Sequence, residues 1–360
     1  PELGYAYSEI AGMSRSQHRS QAMGTAERRG AVLSYFVTEH GDKARKDIFE
    51  NIDIGWSRLA GGAEVSNLLN QAKAAFVPAH PEALVPLLGK VRPALAAIVA
   101  ASKNPLAARK LEELDEAIAL AGGVWVEALT DKFAVTPGGN VQVTLTAIAR
   151  SPGPATLLGA RLSGMPGLPT PVTTSAVLAL NEPSRHAVTV KVPDSEPYSQ
   201  PYWLRLPKDG AMYTVPDPEE IGSPENAPVL SAEFRLKVGG TDIILRRPVE
   251  HRYVDRVYGE LTRPLAIVPP VALEFGGSPL VFTVNRPRRI QVPVKSNGGK
   301  ISGEVKLTVP AGWGYTPEAQ HFELGGTNEE TVVNFDLTPS PGDSVDKLTA
   351  VALVNSRRIA

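Results

Sequence analysis

The sequence predicts an α+β multidomain chain, an N-terminal helical region followed by two antiparallel β-sandwiches. Three observations predict it. Proline is unevenly spread: residues 1–130 hold 6 of the 32 prolines and residues 131–360 hold 26. Helix interiors expel proline, whereas turns and strand edges tolerate it. After Gly122-Gly123 the apolar period changes from 3.6 to 2. Finally, a length of 360 residues exceeds one small core and implies two or three domains.

The elements follow in order. Glu27 to Glu39, with Val32, Leu33, Tyr35 and Phe36, predicts a helix ending near Gly41. Asp47-Ile48-Phe49-Glu50-Asn51-Ile52-Asp53, leading to Trp56, reads as a short docking turn. Val65, Leu68, Leu69, Ala72 and Phe76 mark a helix over Glu64 to Phe76. Pro78 and Pro81 end it, and Pro81 opens the next as its first residue. That next helix carries Leu84, Leu87, Leu88, Val91, Leu95, Ile98 and Val99, with a bend expected at Pro86 or Pro93. Asn104 caps a last helix with Pro105 in its first turn. Its expected buried face is Leu106, Leu111, Leu114 and Ile118, and Gly122-Gly123 stops it. Beyond that point Val141/Val143/Leu145, Ala232/Phe234/Leu236/Val238, Ile290/Val292/Val294, Val305/Leu307/Val309 and Val333/Phe335/Leu337 alternate with polar residues. Each set reads as a half-buried strand between turn residues. They form two immunoglobulin-like sandwiches, residues 123–262 and 263–360, joined over Arg263-Pro264 to Pro269-Pro270.

Composition excludes several functions. With 37 basic and 38 acidic residues, no field of one sign is available for nucleic acid. Zero cysteines exclude disulfides, thiolate metal sites and cysteine nucleophiles. No run of about 18 apolar residues stands out as a membrane span. The six histidines are far apart in sequence. His40 with Asp42 sits at an expected helix end, and Glu250-His251 with Asp255 has strand spacing, so neither reads as a metal site. Trp203, Tyr202 and Tyr213 could stack on a sugar ring or fill a core. No nucleophile elbow, His-Glu-x-x-His or phosphate-binding glycine loop is present.

One segment is chemically unusual. Ser14-Arg15-Ser16-Gln17-His18-Arg19-Ser20-Gln21 has no apolar side chain, so it builds no core. Its hydroxyls, guanidiniums, imidazole and amides suit anions or sugar hydroxyls. Arg15, His18, Arg19 and Gln21 are the candidate substrate-binding residues. The structural alternative is that Arg15 and Arg19, four apart, pair with carboxylates such as Glu9 or Glu27. No catalytic residue is assigned, and no metal is expected in this chain.

Residues Glu9 to Gly24 resemble a stretch that closes the catalytic domain in large bacterial PIG-L (LmbE-like) deacetylases. Asp47-Ile48-Phe49, Ile52 to Arg58 and Gly61-Gly62-Ala63 resemble the region that follows there. Tyr202 to Arg205, Ile221 to Asn226 and Arg247-Pro248-Val249 resemble the first β domain. Val309-Pro310-Ala311-Gly312-Trp313, with Pro317 and Phe322, is similar to an accessory NEW-type immunoglobulin-like domain. The resemblance implies zinc in the parent family, bound by an Ala-His-Pro-Asp-Asp-Glu signature that this chain lacks. Ala79-His80-Pro81-Glu82-Ala83 matches three residues of it without either aspartate, and reads as a helix start. By this resemblance residues 1–30 are a remnant of a deacetylase domain and 31–122 a helical region. The chain is then the C-terminal portion of a periplasmic or extracellular enzyme, cut at both ends. Its expected partner is the missing catalytic domain, against which part of the helical stripe would pack. A free carbohydrate-binding module and a cell-surface spacer are the alternatives.

Overall fold

The computed structural model describes residues 4–102, 104–168, 175–275, 279–342, 345–355 and 357–359. The chain forms two compact units, Pro1–Arg58 and Leu59–Ala360.

In the first unit α1 spans Tyr7–Ser16. The expected helix over Glu27 to Glu39 is absent: residues 31–39 are neither helix, strand nor turn. Val32, Tyr35, Phe36, Val37 and Thr38 are β-branched or aromatic and lose side-chain freedom in a helix. Such a helix forms when its stripe is buried, and Leu33, Tyr35, Phe36 and Val37 are all exposed.

The second unit opens with α2 (Gly62–Ala75), α3 (Val85–Ser102) and α4 (Pro105–Ala121). Pro81 starts a 3-10 turn, Pro81–Leu84, that runs into α3. Pro93 lies inside α3. The stretch Pro81–Ser102 is long and apolar enough to cross a bilayer, with a mean hydropathy of 1.6, which the sequence reading did not pick out. Yet Val85, Leu88, Val91, Leu95 and Ile98 are buried, and α3 packs between α2 and α4. Asn104 caps α4 as expected, its Oδ1 accepting from Leu106 N at 2.9 Å and Ala107 N at 3.4 Å. Most of the expected buried face holds, with Leu114 and Ile118 buried and Leu111 half-buried. Leu106 is exposed, while Ala107, Leu114, Asp115 and Ile118 point inward. Gly123 stops the helix with φ of 67°, and a Cβ there would sit 2.9 Å from Ser151 N.

Among the described residues eleven strands follow: β1 (Val124–Thr130), β2 (Ala134–Val135), β3 (Asn140–Ala149), β4 (Ala155–Ser163), β5 (Ala176–Val177), β6 (Ser184–Lys191), β7 (Ser231–Val238), β8 (Thr241–Pro248), β9 (Glu250–Asp255), β10 (Gly259–Pro264) and β11 (Ala266–Ile267). They form sheets in the orders β10-β9-β1-β3-β6, β5-β4-β7-β8 and β11-β2. The pairing is not wholly antiparallel: β1 meets β9 parallel at Leu129 and Glu250, and β2 runs parallel to β11. Arg263 and Pro264 therefore end a strand, and the connection to the next sheets shortens to Val268-Pro269-Pro270.

Among the described residues eight more strands follow: β12 (Val271–Leu273), β13 (Arg288–Ser296), β14 (Ile301–Thr308), β15 (Gly314–Thr316), β16 (Gln320–Leu324), β17 (Glu330–Thr338), β18 (Thr349–Val354) and β19 (Arg357–Ile359). Two four-stranded antiparallel sheets result, β12-β13-β17-β15 and β16-β14-β18-β19. Ile290, Val292, Val294, Val333, Phe335 and Leu337 from one meet Val305, Leu307, Phe322, Leu324 and Ala352 from the other in a single core. Each fully buried large side chain contributes about 1.5–3 kcal/mol.

A row of carboxylates on α4 ties the helices to β8. Asp115, 3% exposed, accepts from Arg92 Nε at 2.7 Å and Arg92 Nη2 at 2.9 Å, and from the backbone N–H of Ile244 at 3.0 Å. Glu116 holds the guanidinium of Arg247, and Glu112 meets Arg246 at 2.7 Å. On β7, Glu233 is buried and accepts from Arg161 at 2.9 and 3.1 Å. The Arg161 guanidinium, helped by Arg246, holds its carboxyl below the usual glutamate range against the opposing effect of burial.

Candidate functional site

The polar segment is a turn at the end of α1. The carboxylate of Glu9 accepts from Ala6 N at 2.8 Å and so caps the first turn. Ser8 Oγ donates to Arg28 O at 3.1 Å and Ser16 Oγ to Thr25 O at 3.4 Å, which lays residues 25–28 back along the helix. Gly12 is buried there because a Cβ would crowd Glu27 Cα at 3.2 Å. The chain reverses through a 3-10 turn, Arg19–Gln21, and Ala22 in the left-handed region. Within the turn His18 Nδ1 and Gln21 Oε1 share a hydrogen bond of 3.0 Å.

The structure thus joins His18 to Gln21 and leaves both arginines free. Arg15 and Arg19 are exposed and make no ion pair among the described residues. Glu9 and Glu27 are met by Arg29 instead, at 3.5 and 3.7 Å. The sequence alternative chose the right carboxylates and the wrong cations, because residues 25–29 fold back to place Arg29 beside them. Two unpaired guanidiniums beside a solvent-facing imidazole are a donor set suited to an anion or to sugar hydroxyls.

The rest of the first unit is an apolar arm. Val32, Leu33, Tyr35, Phe36, Val37, Ile48, Phe49, Ile52 and Ile54 are each between 49% and 86% exposed. The turn carrying the last four is locally fixed. Glu50 accepts from Arg45 N and Lys46 N, Asp47 from Phe49 N, and Asp53 from Gly55 N and Ser57 Oγ. These backbone donors hold the Glu50 and Asp53 carboxyls below their usual ranges. A turn is therefore present where the sequence suggested one, with Ile48, Phe49, Ile52 and Ile54 exposed. The first stretch of the apolar stripe expected between residues 27 and 121, Val32 to Phe36, is exposed as expected but forms no helix.

A cleft of about 830 Å³ opens at one end of the last β region. Phe282 and Trp313 meet edge to face in its wall, 5.2 Å between centroids. Asn285, Ser340, Asp346 and Lys347 supply polar groups around it. The Trp313 indole N–H is buried without a hydrogen-bond partner among the described residues. Sequence reading did not single out this cleft, although a tryptophan in a Pro-Ala-Gly-Trp-Gly turn, outside any strand, was the available signal.

Among the other aromatic and histidine candidates, Tyr213 is 48% exposed and carries the Lys208 ammonium over its ring, 5.0 Å from the centroid. Tyr202 is buried, donates its hydroxyl to Ser223 O at 3.1 Å and packs edge-on against Trp203. His251 bonds Thr130 O through Nδ1 at 3.1 Å and stacks on Tyr253, over which Arg263 lies. His80 precedes the Pro81 turn and meets Glu82 at 3.3 Å, as a helix start would. Among the described residues no group of three or more His, Asp or Glu is placed to hold a metal ion.

No family model and no curated protein sequence matches this chain. Several solved structures are distantly similar. The sporulation control protein Spo0M of Bacillus subtilis is 11% identical, covering 49% of this chain and 80% of its own, with a TM-score of 0.21. Red sea bream transglutaminase is 11% identical over 70% of this chain and 32% of its own, at 0.31. A Salmonella alpha-2-macroglobulin is 11% identical over 64% and 15%, at 0.23. Likenesses this weak carry no argument about function.

Proposed function

We propose that this chain is the non-catalytic C-terminal region of a zinc-dependent N-acetyl-sugar deacetylase of the PIG-L (LmbE-like) kind, acting in the periplasm or outside the cell. The exposed apolar arm between Val32 and Ile54 carries the reading. Nine large apolar side chains over 23 residues stand exposed, and apolar patches of that kind support a surface that a partner covers. The covering body in this reading is the catalytic domain, which supplies the zinc ligands and the base that activates water. Arg15, His18 and Arg19 then sit at the rim of its pocket. The test is deacetylation by the natural polypeptide containing this chain. Acetate release from N-acetylglucosamine derivatives, lost on chelation, is expected there, and none from the 360-residue chain alone. Acetate release and tight 1:1 zinc in the 360-residue chain would sink the reading.

The Trp313 cleft favours a second reading, a carbohydrate-binding module. Grouping β12, β13 and β17 against β14, β18 and β19 supports an immunoglobulin-type sandwich. Its aromatic wall and two-way hydrogen-bonding rim suit a pyranose. Glycan binding that disappears in Trp313→Ala would favour this reading, and silence across a neutral and acidic oligosaccharide panel would remove it.

A further inference from the structure

We propose that Asn297 is a self-modification site. Its side-chain amide is lost as ammonia through attack by the backbone nitrogen of Gly298, and the carboxylate that results loosens the junction between the two β regions.

Asparagine is a thermolabile residue. Of the chain's twelve asparagines, only Asn297 precedes a glycine. The nucleophile for loss of the amide is the backbone nitrogen of the next residue, and a side chain on that residue obstructs the approach. Gly298 has no side chain, and its backbone moves more freely than any other. The nitrogen gives up its proton and bonds to Asn297 Cγ, the Cγ–Nδ2 bond breaks, and ammonia leaves. A five-membered imide remains. Water opens it at either carbonyl, giving aspartate or the isomer whose main chain runs through the side-chain carboxyl. The sum is one amide and one water converted to one carboxylate and one ammonium. Water has access, because Asn297, Gly298 and Gly299 line a cleft of about 350 Å³ against Lys132, Thr136 and Asn140 of the first β region.

The same residue grips the connection between the regions. Asn297 lies between β13 and β14, which belong to different sheets. Its Nδ2 donates to Pro269 O at 2.9 Å and its backbone N–H to Pro270 O at 3.0 Å. From the other side Val268 N donates to Val135 O at 2.9 Å, so Val268-Pro269-Pro270 is held by both regions. The nucleophile is tethered as well, Gly298 N donating to the buried Ser296 Oγ at 3.3 Å. Both reacting groups are therefore held while the junction is closed, and the reaction proceeds through its local openings. A carboxylate has no hydrogen to donate. After conversion Pro269 O loses its donor and faces a negative charge, so the grip is not remade. Each conversion is one-way, and the junction loosens as the molecule ages.

Peptide mapping by mass spectrometry tests the proposal on the 360-residue chain aged in mildly alkaline buffer. The replacement of NH2 by OH should appear at Asn297 ahead of every other asparagine, and faster in the urea-unfolded chain than in the folded one. Gly298→Ala should slow it about tenfold. That variant should keep its urea midpoint, since a Cβ at 298 would stand at an ordinary contact distance, 3.4 Å, from Thr136 Cγ2. Asn297→Asp should speed hydrogen exchange of the amides of residues 268 and 297 about tenfold or more. The aged chain, converted while folded, gives the same comparison should that variant fail to fold. Four results overturn the proposal: another asparagine converting first, an unchanged rate in Gly298→Ala, a folded chain that converts as fast as the unfolded one, or native exchange at the junction after conversion.

Discussion

Replacing Asp115 by alanine should cost the second unit about 4 kcal/mol. The carboxylate is 3% exposed and receives three donors, two from Arg92 and one from Ile244 N. Truncation leaves the Arg92 guanidinium, whose side chain is 21% exposed, without its partner. Breaking a buried pair from one side costs roughly 3–5 kcal/mol, and partial rehydration of Arg92 places this case at about 3. The orphaned Ile244 N–H adds about 1–3 kcal/mol, and the two losses overlap. Since whole domains are stable by about 5–15 kcal/mol, the effect is large. Urea unfolding followed by circular dichroism reads it directly. The paired exchange Arg92→Met with Asp115→Leu should recover most of the loss, because an apolar pair removes both charges together. A cost for Asp115→Ala below about 1 kcal/mol, or a double variant as weak as the sum of the singles, would refute the reasoning.

Four further outcomes are expected. The Glu233 carboxyl is held below its usual range, so its contribution is present above about pH 4.5 and lost as pH falls through the folded value; Glu233→Gln should flatten the acid limb of stability against pH, and an unchanged limb would count against it. Gly123→Ala forces a left-handed backbone and meets Ser151 N, so a loss of about 1–3 kcal/mol should show as an earlier urea midpoint. Arg19→Ala and His18→Ala should leave the unfolding of the 360-residue chain within about 0.5 kcal/mol and change KM or kcat only in the proposed full-length deacetylase; an altered melting temperature with full activity would show a purely structural segment. The 360-residue chain should bind a hydrophobic dye through Val32–Ile54, and a dye-silent monodisperse monomer would speak against a covered arm.

Helix ends and strands were legible where the deciding interaction is local. Asn104-Pro105 caps α4 because the cap bonds its own next residues, and Val141, Val143 and Leu145 alternate because β3 has one dry face. The arm was misread because Val32, Leu33, Tyr35 and Phe36 have helical spacing but are largely β-branched or aromatic and stay exposed, so no burial supports a helix there. The inward turn of Asp115 was invisible, since its partners lie 23 and 129 residues away. In the polar segment, residue types announced a donor set, but the pairing of Glu9 and Glu27 depended on a reversal that no periodicity encodes. The Trp313 cleft arises from loops meeting across a sandwich, a property of topology.

The bond from Ile244 to Asp115 also bears on how the chain is made. β8 is the last strand of its sheet, and an unguarded edge recruits other chains. Here the guard is an amino acid synthesised 129 residues before the edge it protects. During synthesis from the N-terminus, α4 has already left the ribosome when β8 emerges. A circular permutant that moves α3 and α4 behind β8 would expose that edge for the time needed to make the helices, and its aggregation should rise with slower translation.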